Sequence, residues 1–154
     1  MAISYEKLGS THSTLGNLPK ALTLFERFND LEKELHDAFP PNVEFKNGLA
    51  FSYERLGSTH SALSNSPKAL NFFEKYNDLE KELHQAFPQN VEFKNALAFS
   101  YEKLGETHST LDNLPKALTL FEKFNDLEKE LHQAFPQNVE IGRASCRERV
   151  CSTV

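Results

Sequence analysis

The chain repeats itself with a period of 48 residues. Ser4-Tyr-Glu-Lys-Leu-Gly returns as Ser52-Tyr-Glu-Arg-Leu-Gly and again as Ser100-Tyr-Glu-Lys-Leu-Gly. The copies read as Ala2–Leu49, Ala50–Leu97 and Ala98–Glu140. The first two differ at 12 of 48 positions and the last two at 8 of 43, so they are tandem units of one kind. A tandem array folds by stacking one small unit on the next, so the structure of a single unit sets the whole architecture. Histidine and proline obey the same period: all six histidines and six of the seven prolines fall two per unit. A role given to one of them therefore has to hold three times.

Each unit reads as two helices. Phe45, Leu49, Tyr53, Leu56, His60 and Leu63 recur at a mean spacing of 3.6, which is one face of an α-helix. Asn42, just after Pro40-Pro41, is placed to cap that helix, and Glu44 suits the positive end of its dipole. Ser64-Asn65 interrupts the pattern, and Asn65 is placed to cap a second helix with Pro67 in its first turn, where a missing N–H costs nothing. Ala69, Phe73, Tyr76, Leu79, Leu83 and Phe87 form the second stripe, again at a mean of 3.6, and Pro88 stops it. Short links make the neighbours antiparallel. The expected fold is all-α, a right-handed solenoid of antiparallel helix pairs with six helices. Gly9, Gly57 and Gly105 sit inside first helices at a cost of about 1 kcal/mol each. Close packing explains them, with Ala69 expected opposite Gly57.

These residues resemble the tetratricopeptide repeat family, whose unit carries an aromatic, then Leu-Gly, then Ala, an aromatic and a Pro. Tyr53, Leu56-Gly57, Ala69, Phe73 and Pro88 match that pattern, as do Tyr101, Leu104-Gly105, Ala117, Phe121 and Pro136. The family's unit is about 34 residues; the surplus here is close to four helical turns, which lengthens each helix and keeps the stripe in phase. The resemblance implies a concave groove, lined by the first helices, that grips peptide segments of partner proteins. The groove positions carried over are Ile3, Phe51 and Phe99; Glu6, Glu54 and Glu102; Ser10, Ser58 and Glu106; Ser13, Ser61 and Ser109; and Thr14, Ala62 and Thr110. Three carboxylates beside three apolar residues suit a partner carrying basic and apolar side chains; a solvated face reads equally well.

Other functions find little support in the sequence. No phosphate-binding glycine loop, nucleophile elbow or His-Glu-x-x-His zinc site is present, so no catalysis, cofactor or metal is expected. His60, on the apolar stripe, reads as a core residue, and His84 as a favourable charge at a helix end. Asp78, Glu80 and Glu82 read as a solvated face. The net charge is −5, and −7 before residue 141, which argues against nucleic acid. No apolar run reaches the roughly 18 residues of a membrane span, and Met1-Ala-Ile-Ser-Tyr-Glu-Lys lacks a signal-peptide pattern, so a cytoplasmic location is expected.

The ends break the pattern. Residues 1–140 hold the three units, and 141–154 have no counterpart in them. Ile141–Val150 is what a string resembling a sequencing-library adapter would encode, so the tail is read as an artefact joined to a truncated array; a native basic cap bearing Cys146 and Cys151 is the alternative. Truncation would leave Phe121, Leu131 and Phe135 uncovered and favour self-association through the end faces. The functional expectation is a non-catalytic interaction scaffold. Its alternatives are the sensor arm of a larger signalling protein or a self-associating array.

Overall fold

Local capping chemistry places the helix ends. In the computed structural model, which describes residues 1–134, the elements are α1 (Ala2–Thr14), α2 (Leu18–Ala38), α3 (Val43–Ala62), α4 (Ser66–Ala86), α5 (Val91–Thr110) and α6 (Leu114–Ala134). The Asn42 side chain accepts the Phe45 N–H at 3.1 Å, and Asn90 does the same for Phe93 at 3.0 Å. Asn65 accepts from Lys68 at 3.4 Å with proline in the first turn of α4. The end of α3 is a Schellman turn: Asn65 N–H returns to His60 O at 2.8 Å and Ser64 N–H to Ser61 O at 3.0 Å. This turn requires a left-handed residue, supplied by Gly16 (φ 78°), Ser64 (φ 59°) and Asp112 (φ 59°) in turn. The fold is all-α, with six helices and no strand among the described residues.

Helices consecutive in the chain form the extensive contacts, and they run antiparallel. Between α3 and α4, Lys46 meets Glu82, Gly57 meets Phe73 and His60 meets Phe72, so one number falls as the other rises. The apolar core runs through these junctions. One cluster joins Ala21, Phe25 and Phe28 of α2 to Leu56 of α3; the next joins Ala50, Ala69, Phe73 and Tyr76 to Leu104 and Leu120. Neither cluster is confined to a single repeat unit, because α2 and α4 each pack on the first helices on both of their sides.

Two expectations are corrected here. The neighbour that requires glycine at position 57 is the Phe73 ring rather than Ala69: a Cβ at Gly57 would lie 2.6 Å from Phe73 Cε1. Gly9 with Phe25 and Gly105 with Phe121 repeat that contact at 2.6 Å. An aromatic ring lies against bare backbone three times over, so the glycine makes room for the ring. Leu131, expected to be uncovered, is buried in α6, and Phe121 is half-buried, its ring lying against Gly105 of α5. Phe135 and the tail 141–154 lie outside the described residues.

Between successive helix pairs a polar latch recurs. Asn29 Nδ2 donates to Ser52 Oγ at 2.8 Å across α2 and α3, and Asn77 Nδ2 to Ser100 Oγ at 2.8 Å across α4 and α5. Each serine in turn donates to the carbonyl three residues back, Leu49 or Leu97, at 2.7 Å. Both serines are fully buried, so a shift in register would leave buried polar atoms unpaired.

Candidate functional site

The first helices α1, α3 and α5 carry the expected row, and its chemistry is more self-contained than three free carboxylates. Ile3, Phe51 and Phe99 are exposed. Arg55 lies with its guanidinium carbon 4.6 Å from the Phe51 ring centre, and Lys103 Nζ is 5.2 Å from that of Phe99, both within cation–π range. Glu6 is half-buried and Glu54 buried. Each accepts a hydroxyl from its own helix, Ser10 Oγ at 2.8 Å and Ser58 Oγ at 2.6 Å. Arg55 stands between the two carboxylates, 3.4 Å from Glu6 and 3.9 Å from Glu54.

At α5 the row changes character. Position 106 is Glu where the other first helices have Ser10 and Ser58, and Lys103 turns to it at 2.8 Å. Burial, and then the neighbouring Glu106 charge, raise the Glu102 carboxyl above its ordinary value, with Lys103 opposing. Two carboxylates share one lysine there, so this end of the row is the negative one. The far end of each first helix is hydroxyl-rich and mostly exposed: Ser13 is half-buried, while Thr14, Ser61, Ala62, Ser109 and Thr110 are open.

Two clefts open between successive first helices. One, of about 320 Å³, is lined by Ser10, Ser13, Thr14, Phe25, Arg55, Ser58 and Thr59. The other, of about 290 Å³, is lined by Ser58, Ser61, Ala62, Ser66, Phe73, Lys103, Glu106, Thr107 and Thr110. The second is the first moved on by one unit, with a buried ring, hydroxyls and one cation in each, but with Glu106 at the place of Ser58 and Ala62 at the place of Thr14. The cation column, Lys7, Arg55 and Lys103, is what sequence reasoning missed. Its signal was present, since each glutamate of the row is followed directly by a basic residue.

The histidines and acidic residues sort differently. His60 is buried and stacked on Phe72, with ring centres 5.5 Å apart and planes 6° apart. Burial holds His60 and His108 below the ordinary imidazole value, as suits neutral core rings. Glu80, expected on a solvated face, is 2% exposed between α4 and α5. Its carboxyl is pushed up to about 7 by burial, and one of its oxygens has no hydrogen-bond partner. Asp78 and Glu82 of the same helix are exposed. Glu80 comes inward because α5 packs over that flank of α4: Tyr76, one turn back, donates its hydroxyl to Ala96 O at 3.2 Å. Among the described residues no three His, Cys, Asp or Glu side chains are grouped to hold a metal, and no helix is long and apolar enough to cross a membrane.

No protein-family model matches the chain, and no curated protein matches it. Among solved structures it is similar to MamA AMB-1, at 18% identity over 83% of this chain and 92% of that one, with a TM-score of 0.31. A point mutant of MamA matches at 18% identity over 82% of this chain and 96% of its own, with a TM-score of 0.29. Likeness at that level is coarse, and the functional reading rests on this chain's own geometry.

Proposed function

We propose that this chain is a non-catalytic scaffold that binds a segment of a partner protein along the row presented by α1, α3 and α5. The observation that carries the reading is the pair of clefts with corresponding linings, one unit apart, each joining hydroxyls and a cation to a buried ring. A ligand that fits one cleft meets a related lining one unit further on, with Glu106 in place of a hydroxyl, which favours an extended segment whose second contact is basic. Phe51 and Phe99 offer exposed apolar contact elsewhere on α3 and α5. The carboxylates Glu102 and Glu106 give the α5 end a preference for a basic side chain, while Arg55 offsets the charge of Glu6 and Glu54 at the other end.

The test is selection from a random peptide display library on the full chain, followed by binding of the enriched peptides to Ser13→Trp and Ser61→Trp variants. Each variant fills one cleft from a surface position. Peptides sharing a motif, with binding lost in at least one variant and helicity unchanged, support the reading. Failure to enrich any peptide, or equal binding to both variants and the wild type, overturns it.

A further inference from the structure

We infer that copies of this chain associate head to tail, the outer face of α1 in one copy seating on the outer face of α6 in another. The inference stands apart from the clefts and rests on a junction the molecule already makes twice. At α2–α3 and α4–α5, a second helix receives the next first helix through the Asn29–Ser52 and Asn77–Ser100 latches at 2.8 Å. The halves left over are Ser4 on α1 and Asn125 on α6, and both are exposed. Ser4 is already set as its buried counterparts are, donating to the carbonyl three residues back, Met1 O, at 2.6 Å. Its oxygen is free to accept, and Asn125 makes no hydrogen bond to another described residue.

The apolar parts of the junction are left over in the same way. Leu56 and Leu104 are 2% and 5% exposed beneath the preceding second helix, whereas Leu8, at the same position of α1, is 52% exposed. Thr59 and Thr107 are buried, and Thr11 is open. On the other face, Leu22 and Leu70 pack half-buried against the core clusters, while Leu118 of α6 is 61% exposed. Helices so alike in sequence differ in exposure because α1 and α6 each lack one neighbour among the described residues. The occupant that fits each face is therefore the opposite face of a second copy, since over Ala2–Thr14 it carries the side chains of the internal junctions at the same register, and only the opening turns that hold Phe45 in α3 and Phe93 in α5 have no counterpart in α1. Such a contact is heterologous and does not close on itself, so it builds linear chains. Stacking in that register would also continue the row of clefts across each joint.

The test is the mass of the full chain by light scattering and sedimentation over a wide range of concentration. Wild type should gain mass with concentration without levelling off at a dimer. Leu8→Glu blocks one face and Leu118→Glu the other. Both positions are exposed, so both variants should keep the wild-type circular dichroism and melting temperature. Each variant alone should stay monomeric, while their equimolar mixture, which retains one intact face of each kind, should form a dimer and stop there. Asn125→Ala should weaken wild-type growth several-fold. A wild type that stays monomeric throughout would overturn the inference. So would growth that survives either glutamate, a plateau at a symmetric dimer, or a mixture that remains monomeric.

Discussion

Adding one methyl group to Gly57 puts the ring-on-backbone contact to a quantitative test. A Cβ there would lie 2.6 Å from Phe73 Cε1, 2.7 Å from Cδ1 and 3.0 Å from Cζ. The carbon–carbon optimum is about 3.5–4.0 Å, so the intrusion is about 1 Å at the nearest atom. Phe73 is 1% exposed and packs in the cluster of Ala50, Ala69, Tyr76 and Leu104, so displacing the ring costs contacts in that cluster. Overpacking of this kind costs roughly 1–3 kcal/mol. Against it stands about 1 kcal/mol of helix propensity gained when alanine replaces glycine. Gly57→Ala should therefore destabilise the protein, by up to roughly 2 kcal/mol, in spite of its better helix propensity. Gly57→Leu, with three further carbons, should cost more.

Urea unfolding followed by far-ultraviolet circular dichroism reads this as a shift in midpoint at constant slope. The decisive comparison is the same substitution in a Phe73→Leu background. With the ring gone only the propensity term is left, and Gly57→Ala should turn neutral or stabilising. Gly48 is the control, because there an added Cβ meets the carboxylate end of Glu32, a flexible group, and Ala96 already occupies the corresponding place. Gly48→Ala should stabilise by up to about 1 kcal/mol. If Gly57→Ala is harmless in the wild type, or equally costly in both backgrounds, the ring is not the reason for the glycine.

Three further expectations follow from single contacts. Asn77→Ala removes the 2.8 Å bond to Ser100 and should cost about 1–2 kcal/mol, whereas the same change at exposed Asn125 should stay within about 0.5 kcal/mol in the monomer; equal effects in chemical denaturation would contradict the latch. Glu80 has a carboxyl raised from 4.5 to about 7, so between those values the folded state holds the proton that the unfolded state releases, and stability falls as pH rises across that window. Glu80→Gln should consequently exceed the wild type in stability above pH 7, by at most roughly 3 kcal/mol, with the advantage shrinking towards pH 4.5; parallel stability–pH curves for the two proteins would refute this. Ser64→Gly relieves a left-handed residue (φ 59°) at a turn where Gly16 already stands in the first unit, and should raise stability by about 0.5–1 kcal/mol, read as a higher urea midpoint; a lower midpoint would show that the Ser64 backbone is unstrained.

What the sequence determined by itself was everything local in the chain. The 3.6-residue stripes, the Asn42 and Asn65 caps and the prolines in the first turns of the second helices depend on neighbours within a turn or two. All of them were legible without coordinates. The need for small residues at Gly9, Gly57 and Gly105 was legible as well, because a glycine inside a helix costs stability unless something presses on it. What pressed on it was not legible. Whether Ala69 or Phe73 faces Gly57 depends on the register of α4 against α3, because the two lie on one face and a slide of about one turn, roughly 6 Å, exchanges one for the other. The same is true of Glu80: by sequence it shares a polar stretch with Asp78 and Glu82, and only the placement of α5 against α4 makes it a buried acid. In the candidate groove the row of glutamates could be read from the repeat, but not Arg55 reaching between Glu6 and Glu54, because that contact spans two units. Periodicity records which face of a helix is buried. The partner on that face is chosen by packing between helices, where residues distant in the chain meet and only the assembled structure brings them together.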